Sequence, residues 1–175
     1  MFNEFHPANV FRYCPRCGHP GIVSETINSL KCINCDFKYY FNMSAAVAAI
    51  IRNDKNEILF TIRRHEPAAG FLDLPGGFVN LGETAEDAIK REVFEELNLV
   101  VNSHIFIGTF ANKYLFGGLE YQTLDLVFEC TVKSLNGIKV ADDVSGFVFK
   151  NPKDVKSAEI GLASVKEMLK LLQKK

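Results

Sequence analysis

The sequence predicts a mixed α/β fold in two parts. Residues 1–41 form a small segment organised by four cysteines, and residues 42–175 form a larger domain in which a mixed sheet packs between helices. Three observations carry this reading. Two CxxC pairs stand close together in the first forty residues. An acidic helix, entered through two glycines, occupies the middle of the chain. Apolar runs of strand length are grouped before and after that helix, and a second amphipathic helix ends the chain.

A length of 175 residues with 47% hydrophobic content leaves room for one medium domain and a small addition. The net charge of −1 offers no broad attraction to nucleic acid or membrane. The start, MFNEFHPANVFRYC, lacks the basic stretch and apolar core of a signal peptide. The longest apolar run, residues 45–51, is too short to span a bilayer. A cytoplasmic protein without a membrane partner is the expectation.

In the N-terminal segment, Cys14 and Cys17 form one pair and Cys32 and Cys35 the other, with fourteen residues between the pairs. Four thiolates at that spacing suit tetrahedral Zn²⁺. Gly18 and Asp36, each following a pair, fit tight turns, and residues 22–31 would supply short strands. Disulfides are disfavoured in a cytosolic chain, and a redox pair would sit in a βαβ context that is missing here. Sulfur would fill all four positions, making the site structural. So small a segment builds little core, and the metal would supply most of its folding free energy. His19 is read as decorating the turn, with service as a ligand the alternative. The fifth cysteine, Cys130, lies in a strand-like run, LVFECTV, and is assigned no chemistry.

After a link over residues 38–43, residues 44–52 (SAAVAAIIR) read as a buried strand whose small side chains allow close packing. NDKN at 53–56 is a turn by composition. Residues 57–64 (EILFTIRR) alternate as a second strand, and the two strands are expected to form a hairpin. A loop at 65–70 leads to FLDLPGGFV at 71–79, where Gly76 and Gly77 permit close backbone approaches. Further strands are expected at 100–110, 122–132 and 146–150. The loop ANKYLFGGLEY at 111–121 would be a substrate wall, residues 151–155 a short turn or helix, and residues 162–172 a terminal helix with Val165, Met168, Leu169 and Leu172 facing inward.

The chain is organised around residues 77–99, GFVNLGETAEDAIKREVFEELNL, which carry Glu83, Glu86, Asp87, Glu92, Glu95 and Glu96. Thr84 is an N-cap that Asp87 can answer. Glu92, Glu95 and Glu96 fall within roughly a 100° arc of the helix. Ala85 and Ala88 lie on the same arc, where small side chains would leave room for an approaching group. Ile89, Val93 and Leu97 form the adjoining apolar stripe, and Arg91 reaches Glu95 at i,i+4. Crowded carboxylates repel. A hard divalent cation such as Mg²⁺ or Mn²⁺, which takes oxygen ligands, would relieve that repulsion. The competing explanation, a solvated acidic face, sits poorly beside an apolar stripe and a glycine-rich entry.

This stretch resembles the Nudix box, GX5EX7REUXEEXGU with U aliphatic. Gly77, Glu83, Arg91, Glu92, Val93, Glu95, Glu96 and Leu99 fill its places, and Asn98 replaces its late glycine. Asn is the next most tolerant residue in the left-handed conformation that ends such a helix. The resemblance implies an α/β/α sandwich with a mixed sheet. It also implies hydrolysis of a nucleoside diphosphate linked to another moiety, with Mg²⁺ as catalytic metal and Mn²⁺ as substitute. Glu92, Glu95 and Glu96 would face the metal, Arg91 would orient them, and Glu83 would support the metal shell or the loop. Asn80 stands where relatives often carry an acid. The general base is left open between a box glutamate, Glu120, Asp142 and Asp143. Arg63 or Arg64 would clamp phosphate, with solvated charges at a strand end as the alternative.

A four-cysteine ribbon ahead of such a domain resembles the layout of NADH pyrophosphatases. Their SQPWPFPxS segment is replaced here by FIGTFANKY at 106–114, and the chain has no tryptophan. That departure argues against NADH. Tyr114 stands where dinucleoside polyphosphate hydrolases carry a tyrosine, and Tyr114, Phe116 and Tyr121 could stack a base. ADP-ribose or a related nucleotide sugar is the favoured substrate. Two other classes stay open: a nucleic-acid or protein adaptor built on the ribbon, and an isomerase of isoprenoid diphosphates. The ribbon's Arg12, Arg16, Lys31 and Lys38 fall short of a clustered basic patch. Its Phe37, Tyr39, Tyr40 and Phe41 read as packing more simply than as stacking platforms. The intact box favours hydrolysis. Dimers are common in the family, so a homodimer is a further expectation.

Overall fold

The computed structural model describes residues 3–174; Met1, Phe2 and Lys175, which the two-part division and the reading of the N-terminus include, lie outside the described residues. The chain forms two compact units. One holds the residues before Ser44 together with Tyr114–Gln122, and the other holds Ser44–Lys113 and the chain from Thr123 onward.

The first unit contains three antiparallel strands, β1 (Ile22–Thr26), β2 (Ser29–Cys32) and β3 (Lys38–Tyr40), in that order. Each cysteine pair closes a tight knuckle: the Gly18 amide donates to the Cys14 carbonyl at 2.8 Å, and the Asp36 amide to the Cys32 carbonyl at 3.2 Å. Gly18 and Asp36 take positive φ values of 72° and 56°, as those turns require. Phe11, Tyr39 and Phe41 pack together with ring centroids 5.1–5.8 Å apart.

In the second unit, β4 (Ser44–Ile51), β5 (Ile58–Arg63), β6 (Leu72–Asp73) and β7 (Gly76–Phe78) precede the helix α1 (Ala85–Leu97). Strands β8 (Val101–Phe116), β9 (Leu119–Val132) and β10 (Val144–Lys150) and the helix α2 (Ala163–Leu172) follow it, the facing ends of β8 and β9 at Tyr114–Gln122 belonging to the first unit. One sheet has the order β7-β4-β9-β8 and is mixed, β4 running parallel to β9 and antiparallel to β7. The other has the order β10-β5-β6. Strand alternation sends successive residues to opposite faces, and here both faces are buried. Val47, Ala49, Ile51, Leu59, Phe128 and Cys130 pack with Ile89, Val93 and Leu97 of α1. Ile50, Ile58, Phe60 and Val127 pack with Val165, Met168, Leu169 and Leu172 of α2. The result is a sandwich with sheet between helices, and the four expected residues of the terminal helix face inward.

Three local expectations are corrected. Residues 44–52 and 57–64 do not form a hairpin; β4 and β5 lie in different sheets and share the isolated bridge Arg52–Ile58. Both edges of β4 are taken by β7 and β9, and both edges of β5 by β10 and β6, which leaves neither an edge for the other. Residues 111–121 are not a loop. Strands β8 and β9 run to a turn of Gly117 and Gly118, with φ values of 57° and 79°, and a turn with φ positive at both positions matches strand twist. Ala88 leaves no room for an approaching group, because it is wholly buried beside Ile89.

Helix α1 begins at Thr84, whose hydroxyl accepts from the Asp87 amide at 3.2 Å and donates to the Asp87 carboxylate at 3.0 Å. It ends at Asn98, which is left-handed at φ 57° and ψ 30°. An L-residue other than Asn or Gly is strained there by about 1–2 kcal/mol. Asn98→Val should therefore lower unfolding free energy by roughly that amount, whereas Asn98→Gly should leave it nearly unchanged. Urea unfolding of the three proteins checks this.

Candidate functional site

Arg91 is the hub of the acidic stretch. Its Nε and Nη2 donate to the two carboxylate oxygens of Glu83 at 2.8 Å each, a fork-on-fork pair joining the entry loop to α1. Nη1 donates to Glu92 at 2.7 Å and to Glu95 at 2.9 Å, and Nη2 also donates to the Phe78 carbonyl at 2.9 Å. Glu83 accepts a further bond from the Asn80 amide at 2.9 Å. The Arg91 guanidinium, then that amide, hold the Glu83 carboxyl down at about 2. The same contacts raise Arg91 above its ordinary value. One cation thus gathers three acids and the end of β7.

Gly77 makes this packing feasible. A Cβ placed there would lie 2.6 Å from the Glu92 carboxylate oxygen. At Gly76 a Cβ would meet the Val47 carbonyl oxygen of β4 at 2.0 Å, and φ is 152°. The bare Gly76 amide donates to Glu96 Oε2 at 3.1 Å.

Glu96 has no cation beside it among the described residues, and it is only 6% exposed. Burial, against the single bond from Gly76, pushes its carboxyl up to about 8, and the charges of Glu92, Asp73 and Asp143 add to the rise. Burial likewise raises Glu92, which Arg91 partly offsets and to which Glu95 and Asp142 contribute repulsion. Without a cation, burial therefore favours the protonated form of Glu96, and its ionised form would be left uncompensated. Glu92 and Glu96 are buried and Glu95 is exposed; among the described residues their carboxylates do not close into a metal-holding cluster as the four cysteines do.

Asp142 and Asp143 precede β10 in a loop tied to the end of α1, where the Ala141 amide donates to the Glu96 carbonyl at 3.0 Å. Arg63 is occupied: it donates to Asp73 Oδ2 at 2.6 Å and to the Pro67 carbonyl at 2.7 Å. Arg64 is exposed at the end of β5, its amide bonded to the Asp143 carbonyl at 2.8 Å. Tyr114 and Glu120 fall in the first unit, where Tyr114 stacks on Tyr121 with centroids 5.8 Å apart. The Phe5 carbonyl accepts from the Glu120 amide at 2.8 Å.

The four cysteine sulfurs all lie within 4.8 Å of one another. Cys14 and Cys35 are 3.8 Å apart, and Cys17 and Cys32 are 3.7 Å apart. A tetrahedron with metal–sulfur bonds of about 2.3 Å has edges of about 3.8 Å, so the residues fit a four-sulfur metal site. The His19 amide, followed by the Cys35 thiol, draws Cys17 down to about 6. At Cys35 the Phe37 amide also lowers the thiol, but burial and the neighbouring sulfurs prevail and carry it up to about 12. Four charges cannot share this volume without a cation. His19 accepts from the Gly21 amide through Nδ1 at 2.8 Å, which ties it to the turn. Cys130 is buried, and burial carries its thiol up to about 12.

The NUDIX domain family model matches residues 43–172. The chain belongs to the Nudix family. It is 27% identical over 130 residues to the NAD-capped RNA hydrolase NudC of Haemophilus influenzae, covering 71% of this chain and 49% of that protein. It is 35% identical over 100 residues to the NAD-capped RNA hydrolase NudC of Escherichia coli, covering 57% and 37%. The chain therefore spans about half the length, or less, of these curated relatives. A Nudix hydrolase from Nitrosomonas europaea aligns with TM-score 0.69 at 20% identity, covering 93% of this chain and 90% of that one. The Nudix domain of Shewanella oneidensis NrtR, solved with ADP ribose, aligns with TM-score 0.60 at 18% identity, covering 77% and 88%. Likeness at this identity establishes the fold. Among the described residues no helix is long and apolar enough to cross a membrane.

Sequence reasoning passed over Asp73, a buried acid on β6 whose charge bears on Glu96. A lone acid between Leu72 and Leu74 in an apolar strand was the available signal.

The Glu96 carboxyl supplies a pH test. Its folded value of about 8 exceeds its ordinary 4.5, so between those values the folded state binds more protons than the unfolded chain. Without magnesium, stability should fall as pH rises through that window, and Glu96→Gln should flatten the decline. Urea midpoints at pH 5, 6.5 and 8 measure both slopes.

Proposed function

We propose that this chain is a metal-dependent pyrophosphohydrolase that cleaves a nucleoside diphosphate joined to another moiety. The observation that carries this is the pair of buried carboxylates, Glu92 and Glu96, of which, among the described residues, Glu92 alone meets a cation, Arg91. Glu92, Glu95 and Glu96 would hold Mg²⁺, or Mn²⁺ in its place. When bound, the cation neutralises charge on the pyrophosphate oxygens and on the leaving group. Arg91 holds Glu92 and Glu95 in register, and Glu83 fixes Arg91. The general base is a box glutamate, Glu120, Asp142 or Asp143; the charge of Asp142 bears on Glu92 and that of Asp143 on Glu96.

ADP-ribose or a nucleotide sugar is the favoured substrate class. A second reading, a NAD-type dinucleotide or a NAD-capped end, is favoured by the relatives named NAD-capped RNA hydrolase. Both readings place a nucleoside diphosphate in the site. A panel of ADP-ribose, nucleotide sugars, NADH and dinucleoside polyphosphates with Mg²⁺ decides between them. Glu96→Gln should lower kcat by about 10²–10⁴-fold on the accepted compound. Turnover of none of these by folded, zinc-loaded protein would refute the hydrolase reading.

The metal at the four cysteines is proposed as Zn²⁺ in a structural role, since all four donors are sulfur. Chelation of one zinc per chain should unfold β1–β3 while the α1–α2 sandwich persists. Amide exchange in the two units would show it, and protection of both units after metal removal would contradict it.

A further inference from the structure

The four cysteines of the first unit are not equally protected. Cys14 and Cys32 are 2% and 0% exposed, Cys35 is half-buried, and Cys17 stands open to solvent at the end of its knuckle. An accessible sulfur is the one that an oxidant in solution meets first.

Cys17 also has a second sulfur within reach. Its Sγ lies 3.7 Å from that of Cys32 on β2. Asn34 spans the two, its carboxamide donating to Cys17 Sγ at 3.8 Å and its backbone amide to Cys32 Sγ at 3.4 Å. Cys32 is fixed in turn: it pairs with Ile22 of β1, and its amide donates to the Phe37 carbonyl at 2.8 Å. A disulfide places its sulfurs about 2.0 Å apart, so a shift of roughly 1.7 Å from the observed 3.7 Å closes the bond. Exposed turns yield more readily than paired strands, which makes Cys17 the sulfur that moves. An open thiol beside a held one is the arrangement of an oxidisable cysteine and its resolving partner.

We infer that Cys17 is an oxidation site through which a hydroperoxide converts the four-sulfur cluster to a Cys17–Cys32 disulfide. The inference rests on the reading of the cluster as a structural zinc site and adds a chemical way to empty it. The Cys17 thiolate attacks the terminal peroxide oxygen, which stays on sulfur with its hydrogen as a sulfenic acid. The O–O bond breaks, and the other oxygen leaves as hydroxide or alkoxide and takes a proton from water. The Cys32 thiolate then attacks the sulfenic sulfur, so that the S–S bond forms, the S–O bond breaks and hydroxide leaves. The two sulfurs give up two electrons, and the peroxide accepts both. Two of the four donors are consumed, and the remaining Cys14 and Cys35 cannot close a tetrahedral shell. Oxidation therefore has the same consequence for β1–β3 as chelation. Cys130, 4% exposed in the other unit, is the internal control.

Hydrogen peroxide added to the full chain tests it, after the zinc content has been measured. The five thiols are followed by isotope-coded alkylation and peptide mass spectrometry, and a chromogenic chelator reads released metal. Cys17 and Cys32 should lose their free thiols together, about tenfold faster than Cys14, Cys35 or Cys130. The Cys17–Cys32 disulfide should be the first product, with zinc leaving at the same rate and returning after dithiothreitol and added zinc. A first disulfide between any other pair, loss of Cys14 or Cys35 as early as Cys17, no loss of any thiol, or oxidised Cys17 with zinc retained would each overturn the inference. The comparison is among thiols of one wild-type chain, so it needs no variant that fails to fold. A chain that carries no zinc refutes the structural-metal reading, and the order of thiol loss decides the oxidation site all the same.

Discussion

Charge crowding is the constraint on which the rest of the second unit depends. Glu83, Glu92, Glu95 and Glu96 come from a loop and two helical turns, and a single guanidinium holds three of them. Arg suits this place because its planar fork meets Glu83 with two parallel bonds and still has donors for Glu92, Glu95 and the Phe78 carbonyl. A lysine ammonium would reach one or two of these groups. The same contacts position backbone: Phe78 ends β7, so Arg91 fixes the strand that brings the Gly76 amide to Glu96. Glu96 is the acid that Arg91 does not serve. Burial holds its proton in place of a partner, so its ionised form is the one that the proposed cation would favour.

Backbone proximity is the second requirement, and it is met by small residues at facing positions. β7 pairs with β4 through Gly76 opposite Ala48, Gly77 opposite Val47 and Phe78 opposite Ala46. The Val47 carbonyl stands where a Gly76 side chain would begin, and the Glu92 carboxylate stands where a Gly77 side chain would begin. Two adjacent glycines therefore face opposite obstacles, one of backbone and one of α1. Asp73, one strand earlier, shows the other solution to a buried acid. Burial raises its carboxyl, but Arg63 lies against it and the Leu74 amide donates to it. Arg63 is thereby committed to structure, which leaves Arg64 as the exposed arginine at that strand end.

The elements that the sequence made legible are those whose evidence is local. The Nudix box fixes residue types at set intervals on one helix, and helical geometry converts those intervals into contacts without reference to the rest of the chain. The cap at Thr84, the left-handed Asn98 and the Arg91–Glu95 pair all follow from such spacing, as do the two knuckles at Gly18 and Asp36. Strand pairing is not local. Alternation in residues 44–52 says which side chains share a face, but not that β9, some eighty residues later, takes the edge that β5 was expected to occupy. Gly117 and Gly118 looked like a loop's centre because glycine marks turns of any length. The β-prone Tyr114, Leu115 and Phe116 beside them were the overlooked sign of strand.

The two proposed metal sites differ in a way that the chemistry of their donors explains. Four sulfurs at the corners of a tetrahedron would close a shell completely, which suits a structural role. Carboxylates spread along one helical face, with Glu92 and Glu96 buried and Glu95 exposed, close nothing. Oxygen donors of this kind leave positions for water and for phosphate oxygens. The knuckles present their sulfurs from backbone turns closed by the Gly18 and Asp36 amides. The acids instead depend on Arg91 for their arrangement, and Glu96 meets no cation among the described residues.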